Sequence, residues 1–190
     1  MANSDAPRGF RPINRDGSPY NGATLRCSIA AADATAVFIG DAVNLDGSAT
    51  GGYRGVTQAA TTERTFGVVT SFEASPDDLG AQYRKASTLR YCQVAPADLH
   101  SYFECQHNGA DASLAAASAG LNANFVVGSG STAYGISGME INAGGEATTS
   151  TLDLQLVQPV DRPDNDVTLA NADWIVQFNL PQTVADKTGA

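Results

Sequence analysis

The sequence predicts a mainly β domain, a compact barrel or sandwich with little helix. Three observations carry that reading: period-two alternation of apolar residues near the C-terminus, turn-forming dipeptides beside apolar runs, and a scarcity of helical pattern. Trp174, Val176, Phe178 and Leu180 share one face, with Gln177 and Asn179 on the other. Leu152, Leu154 and Leu156 alternate with Asp153 and Gln155 in the same way. Alternation of this kind means a sheet with one buried and one wet face. Asn21-Gly22 and Asp46-Gly47 supply the positive φ that tight turns need.

Residues 1–20 are expected to form an extended arm, because Pro7, Gly9, Pro12, Gly17 and Pro19 forbid a continuous helix. Phe10 and Ile13 are apolar anchors in this polar stretch, and Arg8, Arg11 and Arg15 lie beside them. Such a segment suits a clamp on a partner's surface. The plainer reading is a solvated terminus. A β domain is expected over residues 21–181 and a short tail over 182–190. Within the domain, apolar runs bounded by Gly, Asn, Asp or Pro predict strands at Thr24–Ala30, Ala36–Ile39, Ala42–Leu45, Gly55–Gln58 and Phe66–Glu73. Further strands are expected at Leu89–Val94, Ser101–His107, Asn124–Val127, Leu152–Pro159 and Trp174–Leu180. Asp33–Ala36 and Pro76–Gln82 are each expected to make one helical turn, capped by Asp33 and Ser75. Residues 111–123 are alanine-rich and suit a helix that Gly120 would end.

Charge excludes several function classes. The 190 residues carry 20 acids against 11 bases, a net charge of -9. That balance opposes binding to the outside of nucleic acid, which needs basic side chains to displace counterions. It opposes an anionic membrane surface equally. The longest uncharged stretch, Ala112–Met139, is too rich in Ala, Gly, Ser, Asn and Thr to serve as a lipid-spanning segment. The opening MANSDAPRGFRPINRDG has no apolar core of a secretory signal, so use without Sec export is expected. Cys27, Cys92 and Cys105 are then expected as free thiols. The charge is also uneven: residues 1–15 hold three arginines against Asp5 alone, leaving -11 on the remaining 175 residues. A basic docking end on an acidic body is one reading of that asymmetry.

No catalytic signature stands out. The sequence has no G-x-S-x-G, H-E-x-x-H, G-x-x-x-x-G-K-[ST] or C-x-x-C pattern. Cys92, His100, Cys105 and His107 have the right types for zinc, but no two of them flank a tight turn. A hairpin of Leu89–Val94 with Ser101–His107 gives a simpler account, with Cys92 opposite Cys105 and Val94 opposite Phe103 on a buried face. A Cys92–Cys105 disulfide could then form after release into an oxidising medium. Gly128, Gly130, Gly135 and Gly138 are expected as a flexible connection rather than a phosphate loop, since no helix pattern follows them. Asp161, Asp164 and Asp166 have calcium-like spacing but lack the glycine and glutamate of an EF-hand. A solvated turn is favoured there, with Arg162 free to pair with a partner's carboxylate. No cofactor and no metal are expected.

Several phrases together resemble the head decoration, or cement, proteins of tailed bacteriophages. They are RGFRPI (Arg8–Ile13), YNGAT (Tyr20–Thr24), ATAVFIGDAVNL (Ala34–Leu45) and FGVVTSFE (Phe66–Glu73). QYRKASTLRY (Gln82–Tyr91), VGSGSTAYGISGME (Val127–Glu140) and RPDND (Arg162–Asp166) continue the series. The resemblance implies a mostly β, β-tulip-type fold without enzyme activity, made in the host cytoplasm and carried on the outer surface of the virion. It implies the major capsid protein as partner, with self-association as a homotrimer or, second, a homodimer. The arm then becomes the expected capsid contact: Phe10, Arg11, Pro12 and Ile13 as the anchor, Arg8 and Arg15 on capsid carboxylates.

Two other function classes compete. A receptor- or carbohydrate-binding module would use Tyr53, Tyr83, Tyr91, Tyr102 or Tyr134, although no aromatic cluster is evident along the chain. A hydrolase would use His100 or His107, although nothing poises a particular serine beside either.

Overall fold

The computed structural model describes residues 3–109 and 114–183. Its strands are β1 (Arg11–Ile13), β2 (Leu25–Ile29), β3 (Ala42–Thr50), β4 (Tyr53–Gln58), β5 (Gly67–Phe72) and β6 (Arg90–Pro96). They continue as β7 (Tyr102–Gln106), β8 (Asn122–Ala123), β9 (Phe125–Val126), β10 (Glu140–Ile141), β11 (Leu154–Pro159) and β12 (Asp173–Phe178). One 3-10 turn, Ala116–Ser118, is the only helical element among the described residues. The mainly β fold read from the alternation is therefore what forms.

Five strands close into a barrel in the order β2-β4-β3-β5-β6, with β6 pairing back onto β2. A second sheet has the order β1-β7-β12-β11-β8, and β9 and β10 form a two-stranded ribbon. Two cores result. The barrel interior holds Cys27, Ile29, Val43, Val56, Phe66, Val69, Cys92 and Val94. The other core includes Phe10, Ala42, Val68, Phe103, Phe125, Leu154, Leu156, Trp174, Val176 and Phe178. Neighbouring residues of a strand point to opposite faces. Val43 and Val69 therefore enter the barrel while Ala42 and Val68 enter the second core. Strands buried on both faces need near-continuous apolar sequence, which is why Phe66–Val69 does not alternate.

Several expectations give way. Residues 3–20 are not a free arm. Arg11, Pro12 and Ile13 pair with Glu104, Phe103 and Tyr102, which makes β1 the edge strand of the second sheet. Phe10 and Ile13 are 1% and 3% exposed. Burying each such side chain is worth roughly 1.5–3 kcal/mol, which offsets the entropy of ordering a short segment. The outer edge of β1 is blunted by a bridge from Ile13 to Pro19 and by Pro12, which has no N–H to offer. Of the expected tail, Gln182 accepts the Leu45 N–H at 2.8 Å and the Thr183 hydroxyl bonds the Ala97 carbonyl; residues 184–190 lie outside the described residues.

The expected hairpin of Leu89–Val94 with Ser101–His107 does not form. β6 lies in the barrel between β2 and β5, while β7 lies in the other sheet between β1 and β12. The connection turns away instead, because Asp98 accepts the His100 N–H at 2.8 Å and the Ser101 hydroxyl at 2.9 Å. Cys92 consequently faces Cys27, not Cys105. Ala36–Ile39 makes only isolated bridges, Val37 to Arg84 and Ile39 to Ile136. Asp33 caps the Thr35 N–H at 2.7 Å in a loop rather than starting a helical turn. Ser75 and Asp78 form a bridge where a helical turn was expected. Of the alanine-rich stretch, residues 111–113 lie outside the described residues, and the rest contributes the single 3-10 turn.

Candidate functional site

The phrases that carry the resemblance are far apart in sequence, yet five of them meet where the barrel joins the second sheet. The Phe10 N–H donates to the Gly40 carbonyl at 2.8 Å, and the Gly40 N–H donates to Val69 at 2.8 Å. Ile39 donates to Gly135 at 2.9 Å and accepts from Ser137 at 2.8 Å. Val37 and Arg84 exchange backbone bonds of 3.0 and 2.8 Å. Gly9 permits this approach: its φ is +67°, and a Cβ there would lie 2.4 Å from the Gly40 oxygen. The stretch expected as a flexible connection is packed as well. A Cβ on Gly128 would sit 2.0 Å from the Gly138 oxygen, so these glycines serve close backbone contact. Buried Asp41 braces the junction by accepting the Phe38 N–H at 2.9 Å and the Gln58 amide at 2.8 Å. Burial pushes its pKa up, against the opposing pull of the Ser137 hydroxyl and these two donors.

Over the junction lies a groove of about 570 Å³. Its lining includes Arg8, Phe10, Arg11, Pro12, Ile39, Val69 and Ile136, and contains two guanidinium groups but no carboxylate. Beneath its rim, Arg8 donates to Asp173 at 2.9 Å and Arg11 to Glu104 at 2.8 Å. Arg162 reaches both acids, Glu104 at 2.6 Å and Asp173 through its other nitrogen. Three guanidinium groups thus hold two carboxylates that are each 4% exposed. Removing one partner of such a buried pair strands the other charge.

The six arm residues therefore separate. Phe10 and Ile13 are core residues and cannot anchor a partner while folded. Arg8 and Arg11 are half-exposed but already paired within the chain. Pro12 is half-buried at the groove wall, and exposed Arg15 makes no ion pair among the described residues. Arg162, expected to reach a partner, is likewise spent inside the chain.

The chemical candidates disperse. Cys92 lies in the barrel core, Cys105 and His107 are buried elsewhere, and His100 is exposed on the 97–101 connection. His107 Nδ1 accepts the Gly109 N–H at 3.0 Å, so the neutral ring carries its proton on Nε2. Burial lowers its pKa. Burial also pushes the Cys27 thiol up to about 11 and the Cys92 thiol to about 12, which removes both as ready nucleophiles. Among the described residues no three His, Cys, Asp or Glu side chains gather as a metal site. Asp166 is taken up capping the Thr168 N–H and hydroxyl, and exposed Asp164 accepts from Arg162 Nε at 3.4 Å.

Two clusters were not legible along the chain. Tyr53 and Tyr91 meet on the barrel's outer face with Arg26 stacked on both, 4.2 and 4.4 Å from the ring centroids. Glu73 accepts from Arg26 at 2.6 Å. The guanidinium covers one face of each ring. The second is a pair of structural cations. Fully buried Arg84 donates to the carbonyls of Thr88, Ala30 and Asp33 at 2.8, 2.6 and 2.7 Å, and also to Thr35. Arg90 holds the carbonyls of Tyr83, Ala81 and Glu73 at 2.6, 2.7 and 3.1 Å. The available signal was two arginines within Gln82–Tyr91 of a chain with few bases.

Comparison with family models, curated proteins and solved structures finds no match for this chain.

Proposed function

We propose that this protein is a head decoration, or cement, protein of a tailed bacteriophage, bound to the outer surface of the assembled capsid. One observation carries the reading. The phrases Arg8–Ile13, Ala34–Leu45, Phe66–Glu73, Gln82–Tyr91 and Val127–Glu140 converge on one junction through backbone hydrogen bonds. The support for the reading is the likeness of these phrases to that family, and the junction is where they meet. The acidic body and the dispersal of its titratable groups fit a structural role.

In this reading the partner is the major capsid protein, and the contact is the groove, with its exposed lining residue Ile136, together with exposed Arg15 of the N-terminal segment. The protomer acts as part of a homotrimer, or second a homodimer, so that several modest contacts multiply. A protein that binds the assembled shell but not loose subunits shifts the equilibrium toward the shell. The test mixes purified protein with undecorated, expanded heads and counts occupancy by electron microscopy. Regular decoration and a raised head-disruption temperature are expected. Undecorated heads at saturating protein, or specific binding on a glycan array instead, would refute the proposal.

A further inference from the structure

We infer that Cys27 and Cys92 form a reversible disulfide that locks the seam of the barrel. The two residues are directly opposite one another on antiparallel strands β2 and β6. Both side chains are fully buried in the barrel core. Opposed residues on antiparallel strands have Cα atoms about 4.5–5.5 Å apart, inside the roughly 4.4–6.8 Å range that a disulfide spans. In the structure all three cysteines are free thiols, so the bond proposed is the oxidised alternative to the state shown; Cys105 belongs to the other core and is no part of the pair.

The position gives the bond a mechanical meaning. β2 is held on one side by β6, over five register pairs from Leu25 to Ile29. On its other side it touches β4 through only two, Cys27 with Arg54 and Ser28 with Gly55. A bond at Cys27 and Cys92 therefore ties β2 covalently to β6, so that β2 stays in the ring through β6 even where its two-pair contact with β4 opens. It also closes a covalent loop across the intervening chain, which restricts the unfolded state.

The oxidant is a small disulfide such as oxidised glutathione. One cysteine thiolate attacks a sulfur of the oxidant, forming a mixed disulfide and releasing one glutathione thiolate. The second cysteine thiolate attacks the protein sulfur of that mixed disulfide. The intramolecular bond forms and the second glutathione thiolate leaves. Two protein thiols are oxidised, one oxidant disulfide is reduced, and the cysteine protons end on the glutathione thiolates. Because both thiols are buried and held protonated, the reaction runs through opening of the seam or during folding.

The test refolds the full chain in a glutathione buffer rich in the oxidised form. The product is acid-quenched, unfolded, alkylated and weighed intact, then mapped by peptide. One alkylated thiol is expected, at Cys105, with Cys27 linked to Cys92. The melting temperature should rise by roughly 5–15 °C over the reduced protein and return with dithiothreitol. The Cys105→Ser variant should still form the bond. Three alkylated thiols, a disulfide that includes Cys105, or a Cys27–Cys92 bond that leaves the melting temperature unchanged or lower would overturn the inference. None of these outcomes depends on the proposed capsid role.

Discussion

Replacing Phe10 by alanine separates an integral strand from a loose arm. Phe10 is 1% exposed, with its ring 5.8 Å from Phe125 in an edge contact and 4.9 Å from Phe178. Truncating a buried phenylalanine to alanine costs about 3–5 kcal/mol, and the cost grows when the site cannot collapse. Collapse is restricted here, because the backbone on either side is fixed by the tight Gly9–Gly40 approach and by pairing of β1 with β7. The upper half of that range, about 4–5 kcal/mol, is therefore expected. For a domain of this size that is a fall in melting temperature of roughly 8–20 °C. The assay is urea unfolding followed by tryptophan fluorescence, since Trp174 lies in the same core. The midpoint should drop with the slope unchanged. A loss below about 1 kcal/mol would place Phe10 outside the core and refute the docked strand.

Other consequences are testable more briefly. Arg84→Lys keeps the charge but loses the fork that binds four carbonyls, so it should destabilise by about 3 kcal/mol, nearly as much as Arg84→Met. A thermal melt of Arg84→Lys close to wild type would show that charge alone suffices. Gly128→Ala forces a Cβ into the Gly138 carbonyl and should cost about 1–3 kcal/mol by chemical denaturation; an unchanged midpoint would contradict the close approach. The lowered pKa of His107 means the unfolded chain takes the proton more readily. Its contribution to stability should therefore be intact above about pH 6.5, fall as pH drops below that value, and level off below the folded pKa. Melting temperatures from pH 7.5 to 5 should show this decline, and His107→Gln should flatten it.

The alternation of Trp174, Val176 and Phe178, and of Leu154 and Leu156, was legible because each set lines one core; the wet face opposite was not as expected, since Ile175 and Asp153 are buried there as well. The pairing of strands was not. Period two says which way a side chain points but not which strand lies beside it, so Cys92 was matched with Cys105 by proximity in sequence when its partner is Cys27. β1 was missed because Gly9 and Pro12 read as breakers, whereas here one enables the turn and the other sits on an edge. The arm's charge was visible but not its recipients. Nothing along the chain marks Glu104 or Asp173 as those recipients, because only the fold brings them beside Arg8, Arg11 and Arg162. The Arg26–Tyr53–Tyr91 stack draws on three strands and depends wholly on register. The groove was legible only as scattered phrases, because what unites them is long-range backbone bonding.

These particulars change what the uneven charge means. The local excess on residues 1–15 reads as a basic docking end only if its arginines are free. In the fold, Arg8 and Arg11 neutralise Glu104 and Asp173 together with Arg162, leaving Arg15 as the exposed cation of the six arm residues without an ion pair. Deleting residues 1–15 would therefore remove a strand, empty the Phe10 and Ile13 sites and leave two buried carboxylates with a single guanidinium. Each loss is of the size that unfolds a marginal domain. A truncation that fails to coat heads would then report on folding rather than on capsid affinity. Arg15→Glu and Ile136→Asp avoid that confusion, since Arg15 is exposed and Ile136 is 36% exposed at the groove. Both variants should melt within a few degrees of wild type. If the groove is the capsid contact, they should lose at least tenfold in head occupancy at half-saturation. Unchanged occupancy with either variant would move the contact to another face.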